Sequence, residues 1–158
     1  FSRHFFERLA VRPYIRGEHW SDIGSGEVLP GVPLAITEPD KPFVLLDSNS
    51  KKTRFLLEVK RALGLSNIEV ETTRVENWRP ALHPDAVITR AFADLATTIG
   101  RTQHILHDHG MLFAMKTESA AEEVDALPSG FELISNQSVV VPGRDWPFQL
   151  LAIQRTRR

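Results

Sequence analysis

Apolar and polar positions along the chain fall into two alternating kinds of segment. Phe43, Val44, Leu45 and Leu46 form a run with no polar face, as expected of a strand covered on both sides. Longer stretches repeat their apolar residues at helical spacing. Phe1, Phe5 and Leu9 stand at i, i+4 and i+8 and predict a helix over residues 1–11. The pattern then predicts a strand at 19–23, a short helix at 31–37 with Pro33 in its first turn, and the strand at 43–46. A helix follows at 50–63, with Phe55, Leu56, Val59 and Leu63 on its buried side and Gly64 as its C-cap. Strands are expected at 68–72, 86–89 and 111–115, with a helix at 95–107 between the last two. An acidic helix at 118–127 stops at Pro128. Two closing strands, 132–141 and 148–154, are joined by a turn that starts at Pro142 and Gly143.

Strands separated by helices imply right-handed crossovers and a parallel, doubly wound sheet. The last two strands have no helix between them, so they form a hairpin and one of them runs antiparallel. The expected fold is α/β and Rossmann-like: a mostly parallel seven-stranded sheet with a C-terminal antiparallel hairpin and helices on both faces. A chain of 158 residues suits one domain over 1–158.

Composition narrows the function classes. With 42% hydrophobic and 25% charged residues the chain is not a disordered one. No apolar run approaches the roughly 18 residues of a membrane span, so no membrane partner is expected. Cysteine is absent, which excludes disulfides, thiolate zinc sites and cysteine nucleophiles and fits a reducing cytoplasm. Net charge is -1, so any binding to a polyanion must come from a local patch. Two patches qualify: Arg3, Arg8, Arg12 and Arg16 against Glu7 and Glu18, and the C-terminal Arg155, Thr156, Arg157, Arg158. A solvated helix face and a frayed tail would look the same. Phe1 is no initiator and the first helix is already under way there, so further residues upstream are expected.

The strongest chemical signal is DIGSGEVLPG at 22–31. A strand enters Gly24 and Gly26 and a helix leaves, an arrangement that lets backbone approach a ligand with helix N–H groups facing it. Asp47 ends the next strand, roughly 20 residues on, where a carboxylate can take both hydroxyls of a ribose. A dinucleotide fingerprint wants glycine where Leu29 stands, and a pyrophosphate wants fewer acids than Asp22 and Glu27 beside it. S-adenosylmethionine, with a sulfonium and an ammonium, tolerates those carboxylates. A nicotinamide dinucleotide is the other candidate.

Five segments carry a family resemblance: DIGSGEVLPGVPLAI at 22–36, LLDSNSKKTRFL at 45–56, LGLSNIEV at 63–70, TRVENW at 73–78 and TRAFADL at 89–95. In that order and at those separations the chain resembles the bacterial 16S rRNA guanine-N7 methyltransferases, also called the glucose-inhibited division protein B family. The resemblance implies a class I methyltransferase fold, S-adenosylmethionine as cofactor and 16S ribosomal RNA or the small ribosomal subunit as partner. It also implies a further helical segment upstream; a monomer without metal is expected. It places Gly24, Gly26 and Leu29 in the cofactor loop, Asp47 at the ribose, and Val75 and Glu76 beside the adenine. Arg90 falls at the cofactor and substrate mouth. Arg90 and Lys116 are the candidate catalytic residues. Lys51, Lys52, Arg74 and Lys116 would meet RNA phosphate or the guanine on the same rim, helped by Arg3 and Arg8.

Departures from the family are Val28 in place of a third loop glycine, Glu7 and Arg8 in the Arg-His segment, Thr117 after Lys116, and the residues around Trp146. Val28 would crowd the methionine moiety. A cofactor- or RNA-binding module with impaired catalysis, and a methyltransferase for another RNA base, are therefore the alternative functions. His104, His107 and His109 form a cluster whose members do not share one helix face, so a wet helix end is expected rather than a metal. Glu118, Glu122, Glu123 and Asp125 read as a solvated face, and Trp20, Trp78 and Trp146 as packing.

Overall fold

The computed structural model describes residues 18–23, 31–90, 93–116, 120–139 and 148–156. The expected N-terminal helix with Arg3 and Arg8, the loop with Gly24, Gly26, Val28 and Leu29, and the Pro142–Gly143 turn with Trp146 lie outside them.

The strands are β1 (Trp20–Ile23), β2 (Phe43–Asp47), β3 (Ile68–Thr72), β4 (Ala86–Arg90), β5 (Met111–Lys116), β6 (Phe131–Val139) and β7 (Phe148–Arg155). Between them lie helices α1 (Gly31–Thr37), α2 (Ser50–Leu63), α3 (Leu95–Thr102) and α4 (Ala121–Asp125). Among the described residues the strands form one seven-stranded sheet in the order β3-β2-β1-β4-β5-β7-β6. Pairings from β3 across to β5 are parallel, whereas β7 runs antiparallel to both β5 and β6. The single reversed strand follows from the hairpin, as expected.

Alternation within each strand sorts the core into two layers. Trp20, Phe43, Leu45, Ala86, Ile88, Phe113 and Leu150 face one way, where Val32, Leu34 and Ala35 of α1 and Leu56 of α2 cover them. Val44, Leu46, Val87, Leu112, Ala114, Leu151 and Ile153 face the other way, against Leu95 and Ile99 of α3. This explains the unbroken apolar runs: both faces are buried. Trp20 packs edge-on against Phe43 with ring centroids 4.8 Å apart, and Trp78 is also buried, so both indoles serve packing.

Helix α2 departs from its expected stripe. Thr53 and Leu56 are buried and Val59 packs partly, but Phe55 and Leu63 are 55% and 56% exposed. Phe55 lies about 100° round the helix from Leu56. The helix sits over β2 and β3, and β3 is the sheet edge, so its outer flank and last turn have no strand beneath them. Its bounds and C-cap are as expected, with Gly64 at φ 63°; at the other end the Asn49 side chain accepts from the Lys51 and Lys52 amides.

Helix α3 is shorter than the 95–107 expected. It ends at Thr102 and tightens into a 3-10 turn, Gln103–Ile105. The Arg155 guanidinium, at the end of β7, donates to the carbonyls of Gln103 and Leu106 and so satisfies the helix end. Arg155 is only 9% exposed, which removes it from the basic tail considered above. The acidic helix, expected over 118–127, is the single turn and a half of α4.

Candidate active site

Strand order reverses on either side of β1, because the chain first winds out through β2 and β3 and then returns to β4. In such sheets ligands bind outside the carboxyl ends of the strands at the reversal. A cleft of about 460 Å³ opens there. Its walls come from Ile23 at the end of β1, Leu46 and Asp47 at the end of β2 with Ser48, Asn49 and Lys52 beyond, residues 73–76 after β3, Thr89 in β4, and Ala93, Thr98, Arg101 and Thr102 on the approach to α3 and its inner face.

Each wall is fixed locally. Asp47 Oδ1 accepts the Asn49 amide at 2.8 Å, which holds the carboxylate at the strand end. The Thr89 hydroxyl donates to the Ile23 carbonyl at 3.2 Å and fastens β1 to β4 at the reversal. Val75–Asn77 is a 3-10 turn closed by Trp78 N–H on the Val75 carbonyl. The buried Trp78 anchors that turn, and the Arg79 guanidinium ties it further through the Glu76 and Trp78 carbonyls at 2.8 and 3.0 Å. Thr53 and Thr72 hydroxyls meet at 2.7 Å and join α2 to β3. On α3, Thr98 and Thr102 bond back to the Asp94 and Thr98 carbonyls.

Of the residues singled out in the sequence, Asp47, Val75, Glu76, Lys52 and Arg74 lie together on the cleft wall. Lys51 is exposed on the first turn of α2, next to the cleft but outside its lining. Arg90 closes β4, paired with Met115 of β5; its side chain is outside the described set, as are Gly24, Gly26, Leu29, Arg3 and Arg8. Lys116 ends β5 but does not line the cleft. Its ammonium bonds Glu123 Oε1 at 2.6 Å and the Ala93 carbonyl at 3.2 Å. Glu123 is thus no member of a solvated face: the same oxygen also accepts the Leu95 amide at 2.9 Å.

Arg101, Thr98 and Thr102 were not singled out. Their i, i+3, i+4 spacing marks one helix face, but nothing local to the sequence says that this face borders a ligand. The three histidines do not converge on one point. His104 Nε2 is 3.0 Å from the Trp78 carbonyl, His107 Nε2 is 2.9 Å from Asp85 Oδ1, and His109 adopts φ 69° in a turn.

Each end of the sheet holds a carboxyl below its usual range. At the cleft end, the Thr97 amide holds the Asp94 carboxyl below its usual range. At the opposite end, burial alone would raise Asp85, but His107 and the His19 and Glu18 amides together pull it below the usual range. The Asp108 carbonyl and then Asp85 push His107 upward, while burial lowers His19.

Comparison with known proteins agrees with this geometry. The structure aligns with N,N-8-amino-8-demethyl-D-riboflavin dimethyltransferase from Streptomyces davawensis at TM-score 0.76 and 16% identity, covering 99% of this chain and 55% of that one. It aligns with TYW2 of M. jannaschii, solved in complex with AdoMet, at TM-score 0.74 and 17% identity, covering 99% and 78%. The fold is therefore the Rossmann-like class I methyltransferase fold. In sequence, the chain is 44% identical over 155 residues to ribosomal RNA small subunit methyltransferase G of Pseudomonas syringae, covering 98% of this chain and 74% of the relative. It is 53% identical over 115 residues to the protein of that name from Legionella pneumophila, covering 73% and 55%. The family model described as GidB, rRNA small subunit methyltransferase G, matches residues 1–146. With a matching sheet, a cleft at the strand reversal and this identity along nearly its whole length, the chain belongs to the rRNA small subunit methyltransferase G family.

Proposed function

We propose that the protein is an S-adenosylmethionine-dependent methyltransferase that modifies N7 of a guanine in 16S ribosomal RNA, as a monomer in the cytoplasm. The observation that carries this reading is the cleft itself, with the Asp47 carboxylate at the end of β2 and the 75–76 turn beside it. Those residues fit the cofactor. Asp47 would hold the ribose hydroxyls, Val75 and Glu76 would border the adenine, and the 24–29 segment with Gly24, Gly26 and Leu29 would take the methionine end.

The bound cofactor supplies a methyl group on a positively charged sulfur. Guanine N7 presents a free lone pair, so no residue has to remove a proton first. The protein's contribution is then to orient the base and exclude water. Arg90 would hold guanine O6 or the cofactor carboxylate; on N7 a cation would block the nucleophile. RNA phosphate would be met by Lys52 and Arg74 on the wall, Lys51 beside it, and Arg3 and Arg8. Arg101 adds a cation from the α3 side.

The test is transfer of labelled methyl from S-adenosylmethionine to small subunits purified from cells lacking this modification, followed by mapping of the labelled base. Label at a guanine N7 is the expected result. No label, or label on another atom, would overturn the proposal.

A further inference from the structure

We propose that Glu123 is a positioning residue that sets the α3 wall of the cleft, and that Lys116 acts through Glu123 and not by touching RNA. The inference deepens the cofactor reading above and rests on it for its functional consequence. One carboxylate oxygen, Glu123 Oε1, joins three elements: α4, which carries it; Lys116 at the end of β5, at 2.6 Å; and the Leu95 amide at the start of α3, at 2.9 Å. The Lys116 ammonium then continues to the Ala93 carbonyl at 3.2 Å.

Ala93, Thr98, Arg101 and Thr102 line the cleft, so this junction fixes the near end of a wall it does not itself form. The first amides of a helix have no partner within it. Here the Asp94 side chain takes the Thr97 amide and Glu123 takes that of Leu95. The negative charge also sits at the favourable end of the helix dipole. The pair is largely withdrawn from water, with side-chain exposures of 11% for Lys116 and 25% for Glu123. An ammonium so placed cannot stay in position once its anion is removed. It would turn outward and release the Ala93 carbonyl, while the Leu95 amide loses the carboxylate that accepts it.

The test is a double-mutant cycle on S-adenosylhomocysteine affinity, measured by calorimetry with Glu123→Ala, Lys116→Met and the double variant. Each single change is expected to raise Kd roughly 10-fold, as for loss of a charge-assisted bond, and the double variant should be no worse than either. In turnover, KM for the cofactor should rise more than kcat falls. The salt slope of RNA binding should stay at the wild-type value in Lys116→Met. Additive effects, an unchanged Kd in folded Glu123→Ala, or a smaller salt slope in Lys116→Met would overturn the proposal.

Amide exchange supplies a readout that needs no ligand. Protection should fall at Leu95 and its neighbours in Glu123→Ala while the sheet amides keep theirs; unchanged protection at Leu95 refutes the positioning role. If Glu123→Ala does not fold, Glu123→Gln, which keeps an acceptor for Leu95 but not the charge, serves in the affinity cycle, where Kd should still rise while Leu95 keeps its protection; an unchanged Kd there would overturn the proposal. Failure of the wild-type protein to bind S-adenosylhomocysteine would instead refute the cofactor reading, with the exchange result still deciding the structural role.

Discussion

Replacing Asp47 by Asn tests the cofactor site while leaving its frame intact. One carboxylate oxygen of Asp47 already accepts the Asn49 amide at 2.8 Å. An Asn side chain keeps a carbonyl oxygen for that bond, so the turn into α2 survives and stability should change by less than about 0.5 kcal/mol. What disappears is the charge and one acceptor that would face the ribose. A hydrogen bond to a charged group contributes about 1.5–3 kcal/mol, so the Kd for S-adenosylhomocysteine should rise roughly 10- to 100-fold. Asp47→Ala also frees the Asn49 amide and should lose about 1 kcal/mol of stability in addition. Calorimetry gives the affinity and urea unfolding the stability on the same preparations. Wild-type affinity in a fully folded Asp47→Asn protein would show that the carboxylate only shapes the turn.

Arg155→Met should cost about 1–3 kcal/mol in urea unfolding, because the Leu106 carbonyl loses the guanidinium that donates to it and the Gln103 carbonyl keeps only the Leu106 amide. RNA affinity should not change; a loss of RNA binding without a loss of stability would return Arg155 to the basic tail. Lys51→Gln should lower the slope of log RNA affinity against log salt by about 0.7–0.9 without altering cofactor affinity, whereas Lys52→Gln, on the cleft wall, should alter both. Equal behaviour of the two would contradict their placement. The Asp85–His107 pair gives a pH signature. His107 is raised, so its stabilisation is full below about pH 6.5 and fades as pH rises through its folded-state pKa; Asp85 is lowered, so its share is full above about pH 4 and fades as pH falls through its own. Both side chains are 40% exposed, which limits the effect to about 0.2–1 kcal/mol. Because His19 is lowered and works in the opposite direction, the measurement is the difference between wild type and His107→Asn at pH 5.5 and 8.5; an equal difference at both pH values would refute the pairing.

The layered sheet was readable in the chain because its signals are local. Residues 43–46 alternate between two apolar layers whatever the rest of the molecule does, and the Gly64 cap depends only on the turn of helix beside it. The place of Asp47 at a strand end was readable for a related reason: the apolar run of β2 stops there, beside the end of β1 at Ile23. Long-range charge partners are another matter. Lys116 and Arg155 look like free cations in the sequence, and Glu123 like one acid among several. Their partners follow from which elements the fold makes adjacent. Pairing β7 with β5 carries Arg155 to carbonyls some 50 residues earlier in the chain, and the packing of α4 against α3 carries Glu123 to Leu95. Hydrophobic pattern selects a face for each segment within a few residues. A charge, once drawn from water, must find its counterpart wherever packing has put one, and only the assembled sheet and helices supply that address.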